Sequence, residues 1–220
     1  MVTVVIPVRN GEKYLREAID SVRAQEVETE LVVIDDASTD QTGAIARELG
    51  CRVFRNATCC GQMYGKNIGI REAQGEFWLS LDADDWLRPG ALRRMLDEFD
   101  AVPETQIVMT KVKDFCSPDT PDAARFVKPE PFAGVLTGSA LFRRAVFERI
   151  GWFREDLKAG DVIDLQGRCA AAGVAIRRLD LITCDRRIHA SNFGRTQQKA
   201  EFRDYAKLLR ERLSRTGSKS

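Results

Sequence analysis

The chain holds one histidine in 220 residues, and none of its cysteines are spaced C-x-x-C. It also has almost no net charge and no apolar run that approaches the thickness of a bilayer. Each shortage excludes a class of chemistry. His189 and the cysteines Cys51, Cys59, Cys60, Cys116, Cys169 and Cys184 lack the spacing of zinc ligands, so free, largely buried thiols are expected, with the vicinal Cys59–Cys60 pair the only unusual one. Lys and Arg number 34 against 33 Asp and Glu, a balance that gives no reason to expect a nucleic acid as partner. The longest apolar stretches, Val2–Val8 and Leu31–Ile34, are strand-length and fall far short of the roughly 20 residues that cross a bilayer. The opening residues lack a basic segment before an apolar core, so a cytoplasmic location is expected. Val8-Arg9-Asn10-Gly11 has one glycine, which argues against the glycine-rich loop of a sugar-nucleotide-forming nucleotidyltransferase. No internal repeat is present.

What is there is an alternation of β-branched runs with helix-period segments, the pattern of a mostly parallel sheet flanked by helices in an α/β domain. Val2–Val8 reads as a strand, and Tyr14, Leu15, Ala18, Ile19 and Val22 mark one face of a helix. Leu31–Ile34 is a second strand ending in Asp35-Asp36, after which Ser38 or Thr39 is expected to cap a helix through Leu49. Cys51–Phe54 and Phe77–Leu81 are further strands, with a helix over Tyr64–Ala73 between them and another from Pro89 to Phe99. Proline-rich Cys116–Pro131 is expected to be a surface loop, Arg143–Ile150 and Asp164–Ala172 helices, and Ala175–Leu181 a strand. Gln197–Leu213 carries Phe202, Tyr205, Leu209 and Leu213 on one helical stripe among basic residues; it either packs on the domain or docks on an anionic membrane surface or a second subunit.

In an open parallel sheet, ligands bind beyond the carboxyl ends of the strands, where both acidic loops fall. Asp82 and Asp84, two apart in Asp82-Ala83-Asp84-Asp85, offer hard oxygen ligands to Mg²⁺ or Mn²⁺, which can bridge two phosphate oxygens. Asp85 is read as a helix-capping residue.

The segments VTVVIPVRNGEKYLREAIDSV, LVVIDDASTD, GKNIGIREAQGEFWLSLDADDWLRPGAL and GSALFRRAVFERIGWF, in this order and spacing, resemble the family-2 glycosyltransferases of GT-A fold over roughly positions 2–170. The resemblance implies an inverting, metal-dependent transferase that uses a nucleoside-diphosphate sugar, a UDP-sugar by preference. It places Pro7, Val8, Arg9 and Glu12 along the nucleoside and Asp36 on the base. Lys66 supplies a cation facing the nucleotide where family members commonly have arginine, and it lacks that residue's bidentate fork. Asp82 and Ala83 lie against ribose and diphosphate, and Asp84 on the metal. His189 has two readings: an ordinary core or surface histidine, or the family's histidine that approaches the diphosphate or metal. In the second reading Arg186 and Arg187 neutralise the leaving group.

The pattern fails at the base. Family members carry a Glu-Asp pair whose Asp takes the acceptor's proton; here Asp161 stands at the Glu position and Val162 at the Asp position. Three readings stay open: Asp161 acts after a one-residue shift, Asp164 acts from one turn along, or the chain binds nucleotide sugar without turnover. The shift turns a helical side chain by about 100°, so it requires that the backbone not yet be helical at Asp161. The expected organisation is a glycosyltransferase domain over 1–198, with a nucleotide-sugar half at 1–112 and an acceptor half at 113–198, followed by a basic helix and tail at 199–220. The expected partners are the nucleotide-sugar donor and an acceptor that is a small molecule, a peptide or a lipid-linked glycan. Peripheral contact with the inner membrane face and homodimerisation are left to the final helix.

Overall fold

Val2–Val8 is buried along its whole length as strand β1, as a strand covered on both faces must be. The computed structural model describes residues 1–133, 136–158, 160–190, 192 and 203–211. β1 is followed by α1 (Leu15–Arg23), β2 (Thr29–Asp35), α2 (Thr42–Glu48), β3 (Arg52–Arg55), α3 (Gln62–Glu72), β4 (Phe77–Ser80), β5 (Trp86–Leu87) and α4 (Ala91–Ala101). Then come β6 (Ile107–Cys116), β7 (Ala140–Arg143), α5 (Val146–Ile150), α6 (Asp161–Ala171), β8 (Ile176–Ile188) and a helix over 203–211, here α7. The sheet order is β3-β2-β1-β4-β7-β6-β8-β5. Its first four strands are parallel; β7 runs antiparallel to both neighbours, β6 and β8 are parallel, and β5 is antiparallel to β8.

Alternation along β1 supplies two cores. Val4 and Ile6 pack with Leu15, Ile19, Leu92 and Met95 on the side of α1 and α4. Val5 packs on the other side with Ile68, Trp78, Phe142, Phe147 and Phe153. Helix α3 lies close on β1 because Gly65 and Gly69 face it: a Cβ at Gly69 would stand 2.2 Å from Val5 Cγ1, and one at Gly65 3.1 Å from Pro7 Cβ. β4 and β5 are adjacent in sequence yet sit four places apart in the sheet, a flat separation of about 19 Å. A tight turn joins them, with Asp85 N–H donating to Asp82 O at 3.1 Å, so the sheet curls and returns β5 and β8 to the acidic loop.

Several local expectations differ. Asp40, not Ser38 or Thr39, receives the N–H at the start of α2, from Thr42 at 3.0 Å, while Ser38 Oγ accepts from Asn10 N–H. Arg143 ends strand β7, and the helix expected over Arg143–Ile150 begins at Val146. Strand β6 had no counterpart in the sequence reading, β8 runs on to Ile188, and the 116–131 connection contains a short 3-10 helix at Pro121–Phe126. In the expected Gln197–Leu213 helix, only 203–211 falls among the described residues. There the stripe faces outward: Tyr205 is 43% and Leu209 59% exposed. The opposite face, with Asp204, Lys207 and Glu211, meets the 154–158 loop at the Lys158 N–H, Asp156 and Arg154. Among the described residues no helix is long and apolar enough to cross a membrane.

Candidate active site

The β4–β5 turn gathers Asp82, Asp84 and Asp85 so that one carboxylate oxygen of each lies within 4.8 Å of the others. Asp85 is not the helix cap expected from sequence: Trp86–Leu87 form a strand, and Asp85 Oδ1 instead accepts the Arg187 N–H at 2.8 Å. Asp82 Oδ1 accepts from Gln62 Nε2 at 2.7 Å, and Asp84 Oδ2 meets His189 Nε2 at 2.8 Å and Asn192 Nδ2 at 3.1 Å. Burial and the neighbouring Asp84 carboxylate push Asp82 up to about 6, and the same two causes raise Asp85 well above the carboxylate range. A trio of hard oxygen donors whose mutual repulsion already costs protonation is the donor set that a small divalent cation relieves, so these residues fit Mn²⁺ or Mg²⁺.

Lys66 projects from α3 beside this trio. Its side chain is 2% exposed, its Nζ lies 5.3 Å from the Phe153 ring centroid, and it donates to Asp161 Oδ2 at 2.9 Å. Lys66 and Asp161 both act electrostatically on Asp82, the lysine lowering and the aspartate raising its pKa. Asp161 is therefore part of the same constellation. It is the first residue of α6, after Gly160 at φ +82°, so the backbone is already helical at Asp161 and the condition set for a one-residue shift is not met; the Lys66 contact, not a change of register, brings its carboxylate to this side. Val162 packs, partly buried, against the core on the α3 side. Asp164 is engaged elsewhere, with Arg168 at 2.7 Å and Arg154 at 3.9 Å.

At the end of β2, where the nucleoside is expected, Asp36 is 7% exposed and accepts four hydrogen bonds. Asn56 Nδ2 and Cys60 N–H meet Oδ1 at 2.7 and 2.8 Å; Gly61 N–H and the Cys59 thiol meet Oδ2 at 2.8 and 3.3 Å. Burial alone would raise its pKa, but these donors outweigh it and hold the carboxyl below its usual range. A carboxylate has about four acceptor sites, so Asp36 is saturated by its own loop. Arg9 Nη1 also donates to Cys59 Sγ at 3.2 Å, so that thiol bridges the two residues expected to flank the base. Pro7 and Val8 end β1 opposite Ile34 and Asp35. Glu12 Oε2 accepts the Gln41 N–H at 3.0 Å, tying the loop after β1 to α2, and Ala83 is buried in the core beneath the acidic turn.

The two arginines before His189 do not face outward as a leaving-group clamp. Arg186 forks onto Asp114 at 2.8 and 3.1 Å. Arg187 is 4% exposed, stacks on Tyr14, Trp86 and Phe115, pairs with Glu17, and donates to Asp84 O at 3.0 Å from beneath the acidic turn. Gln62, Asn192 and Arg187 have no place in the sequence reading as partners of the acidic turn. Only their through-space positions reveal them, because they lie 20 to 108 residues from the aspartates they touch.

The glycosyl transferase family 2 model matches residues 3–151, well over half of the chain. The chain belongs to glycosyl transferase family 2. Relatives of this family-2 chain include a glycosyltransferase of Rickettsia typhi, 28% identical over 188 residues that span 75% of this chain and 57% of that protein. Another is the poly(ribitol-phosphate) β-N-acetylglucosaminyltransferase TarS of Staphylococcus aureus, 37% identical over 100 residues, which are 41% of this chain and 17% of TarS. The chain thus spans little more than half the length of the Rickettsia relative and far less of TarS. Among solved structures, TarS 1–349 in complex with UDP-GlcNAc superposes with a TM-score of 0.73 at 22% identity, over 89% of this chain and 60% of that one. A Pyrobaculum calidifontis mannosyltransferase in complex with GDP-Man and Mn²⁺ superposes with a TM-score of 0.63 at 22% identity, over 84% and 56%. The family-2 chain therefore has the GT-A fold expected from its motifs.

Proposed function

We propose that this family-2 chain transfers the sugar of a nucleoside-diphosphate sugar, with UDP as the nucleotide, to a hydroxyl or other nucleophile of its acceptor with inversion. The observation that carries the reading is the acidic trio at the carboxyl end of β4, set beside the buried Lys66–Asp161 pair. The nucleotide-bound neighbours of the same fold support a donor in this cleft.

In this reading Pro7, Val8, Arg9 and Glu12 line the nucleoside, Asp36 reads the base, and Ala83 brings the backbone against ribose. Asp84 and Asp82 hold Mn²⁺ or Mg²⁺, and His189 and Asn192 fix the orientation of Asp84. A divalent cation there supplies charge stabilisation for the departing diphosphate. Lys66 donates to Asp161 Oδ2, leaving Oδ1 to take the acceptor's proton. Asp164 is held by Arg168 and Arg154 and serves as a support of α6 rather than as the base.

A second reading, nucleotide-sugar binding without turnover, is favoured by one observation: the family's base position is occupied by Val162, which is partly buried and packs against the core. Restoration of sugar transfer by Val162→Asp in an inactive wild type would select it. The leading reading is tested by calorimetry of UDP with and without Mn²⁺. Asp84→Asn is expected to abolish the metal-dependent part of binding, and unchanged affinity in the variant refutes the assignment.

A further inference from the structure

Among the described residues before Asp161, 151–158 and Gly160 are gripped from two sides. On one side, Asn67 of α3 bonds both backbone groups of Phe153, at 2.9 and 3.0 Å. On the other side stands α7. Asp204, whose side chain is 4% exposed, accepts the Lys158 N–H at 2.7 Å across a sequence separation of 46 residues. Arg154 spans from Asp156 to Glu211, with Nη2 to Glu211 Oε1 at 3.0 Å, and Lys207 pairs with Asp156. These partners hold Arg154 charged and Asp156 ionised beyond their usual ranges. Gly160 completes the contact: a Cβ there would lie 2.9 Å from Leu208 Cδ1 and 3.3 Å from Tyr205 Cε1. Asp204, Lys207, Leu208 and Glu211 recur at helical spacing, so a single face of α7 makes nearly the whole grip.

We infer that α7 is a positioning element for the transfer step, fixing the 154–160 backbone and through it the place of Asp161 against Lys66 and the acidic trio. The inference rests on the reading of Asp161 as the base. Asp161 is the residue after Gly160, and its side chain accepts from Lys66 Nζ at 2.9 Å. Lys66 restrains the carboxylate on one side; the backbone that carries it depends on Asp204, Leu208 and Glu211. The residues proposed to hold donor and metal lie at the ends of β1, β2 and β4, on α3 and at His189, and Lys66 joins them to Asp161. Loosening α7 is expected to change the chemistry without changing how the nucleotide is held.

The test uses the full chain and three variants: Asp204→Ala, Asp204→Asn, which keeps an acceptor for the Lys158 N–H, and Gly160→Ala, which pushes directly on Leu208. Asp161→Asn runs in parallel. Turnover is read as Mn²⁺-dependent release of UDP from UDP-GlcNAc with water as acceptor, binding as the Kd of UDP with Mn²⁺, and local order as amide exchange at 161–164. Asp204→Ala and Gly160→Ala are expected to lower kcat about 10- to 100-fold, the scale of a displacement near 1 Å, with UDP affinity unchanged. Amide exchange at 161–164 should speed up while that of 82–85 stays the same, and Asp204→Asn should restore both. A purely structural role would lower the melting temperature with kcat and the local exchange untouched, and that result overturns the inference. Wild-type exchange at 161–164 in Asp204→Ala overturns it regardless of turnover. Full turnover by Asp161→Asn removes the base reading and this inference with it.

Discussion

Replacing Asp161 by Asn does two things at once, and the structure separates them. The Lys66 side chain is 2% exposed and that of Asp161 17%, so the substitution leaves a buried ammonium facing a neutral amide. Removing one partner of a buried ion pair costs about 3–5 kcal/mol. Here the Asn oxygen still accepts from Nζ, and Asp82 still presents negative charge to Lys66. Those two compensations bring the expected loss to about 2 kcal/mol, or about 4–8 °C in melting temperature for a domain of this size. Lys66→Met removes the ammonium instead. If the pair is coupled, the double variant loses less than the sum of the single losses by about 1–3 kcal/mol. Scanning calorimetry of the four proteins at pH 7 measures the cycle. Turnover in the same set isolates the chemistry, because the double variant recovers stability but not the base. Strict additivity, with each single variant melting within a degree of wild type, would refute the buried-pair argument and with it the electrostatic placement of Asp161.

Two further outcomes follow from individual carboxylates. Asp82 is pushed up to about 6 from its ordinary value of 3.8, so between roughly pH 4 and 6 the folded chain binds more protons than the unfolded one, and metal-free stability falls as pH rises through that window. A cation needs the ionised form, so the thermal stabilisation given by Mn²⁺ should grow from pH 5 to 7; a pH-independent shift would show that Asp82 is not a ligand. Cys59→Ala vacates one acceptor site on Asp36, and UDP is expected to bind up to about five-fold more tightly for the loss of a competing bond near 1 kcal/mol. Calorimetry that finds unchanged or weaker binding would mean that the base does not use Asp36 Oδ2.

The first half of the fold was legible because its signals are local. Apolar β-branched runs and period-3.6 patterns from Val2 to Phe99 placed β1 to β4 and α1 to α4 within a few residues. The second half was not, because its strands are defined by partners. β6 is polar at Lys111, Lys113 and Asp114, and it is a strand only because β7 and β8 flank it. The acidic turn was readable as a motif, yet the role of Asp85 was misjudged because the short strand β5 exists only by pairing with β8. Saturation of Asp36 could not be foreseen either, since it arises from the fold of the Asn56–Gly61 loop around it. For α7 the amphipathic stripe could not choose between packing and docking, because the charges that pair with the 154–158 loop lie far away in sequence; among the described residues Tyr205 and Leu209 are exposed.

The curl of the sheet has a consequence for the order in which the molecule is made. Asp84 and Asp85 reach their partners at His189 and Arg187 across separations of 105 and 102 residues, so the acidic turn emerges during synthesis long before the strand that completes it. Until β8 has been added next to β6, three mutually repelling carboxylates stand without the Arg187 guanidinium beneath them and without the imidazole on Asp84. Closing so long a loop is slow compared with forming the β1–β4 units, which need only neighbouring segments. The β1–β4 half is thus expected to acquire its shape while the chain is still growing, and the proposed cation site to become competent only when the last strand docks.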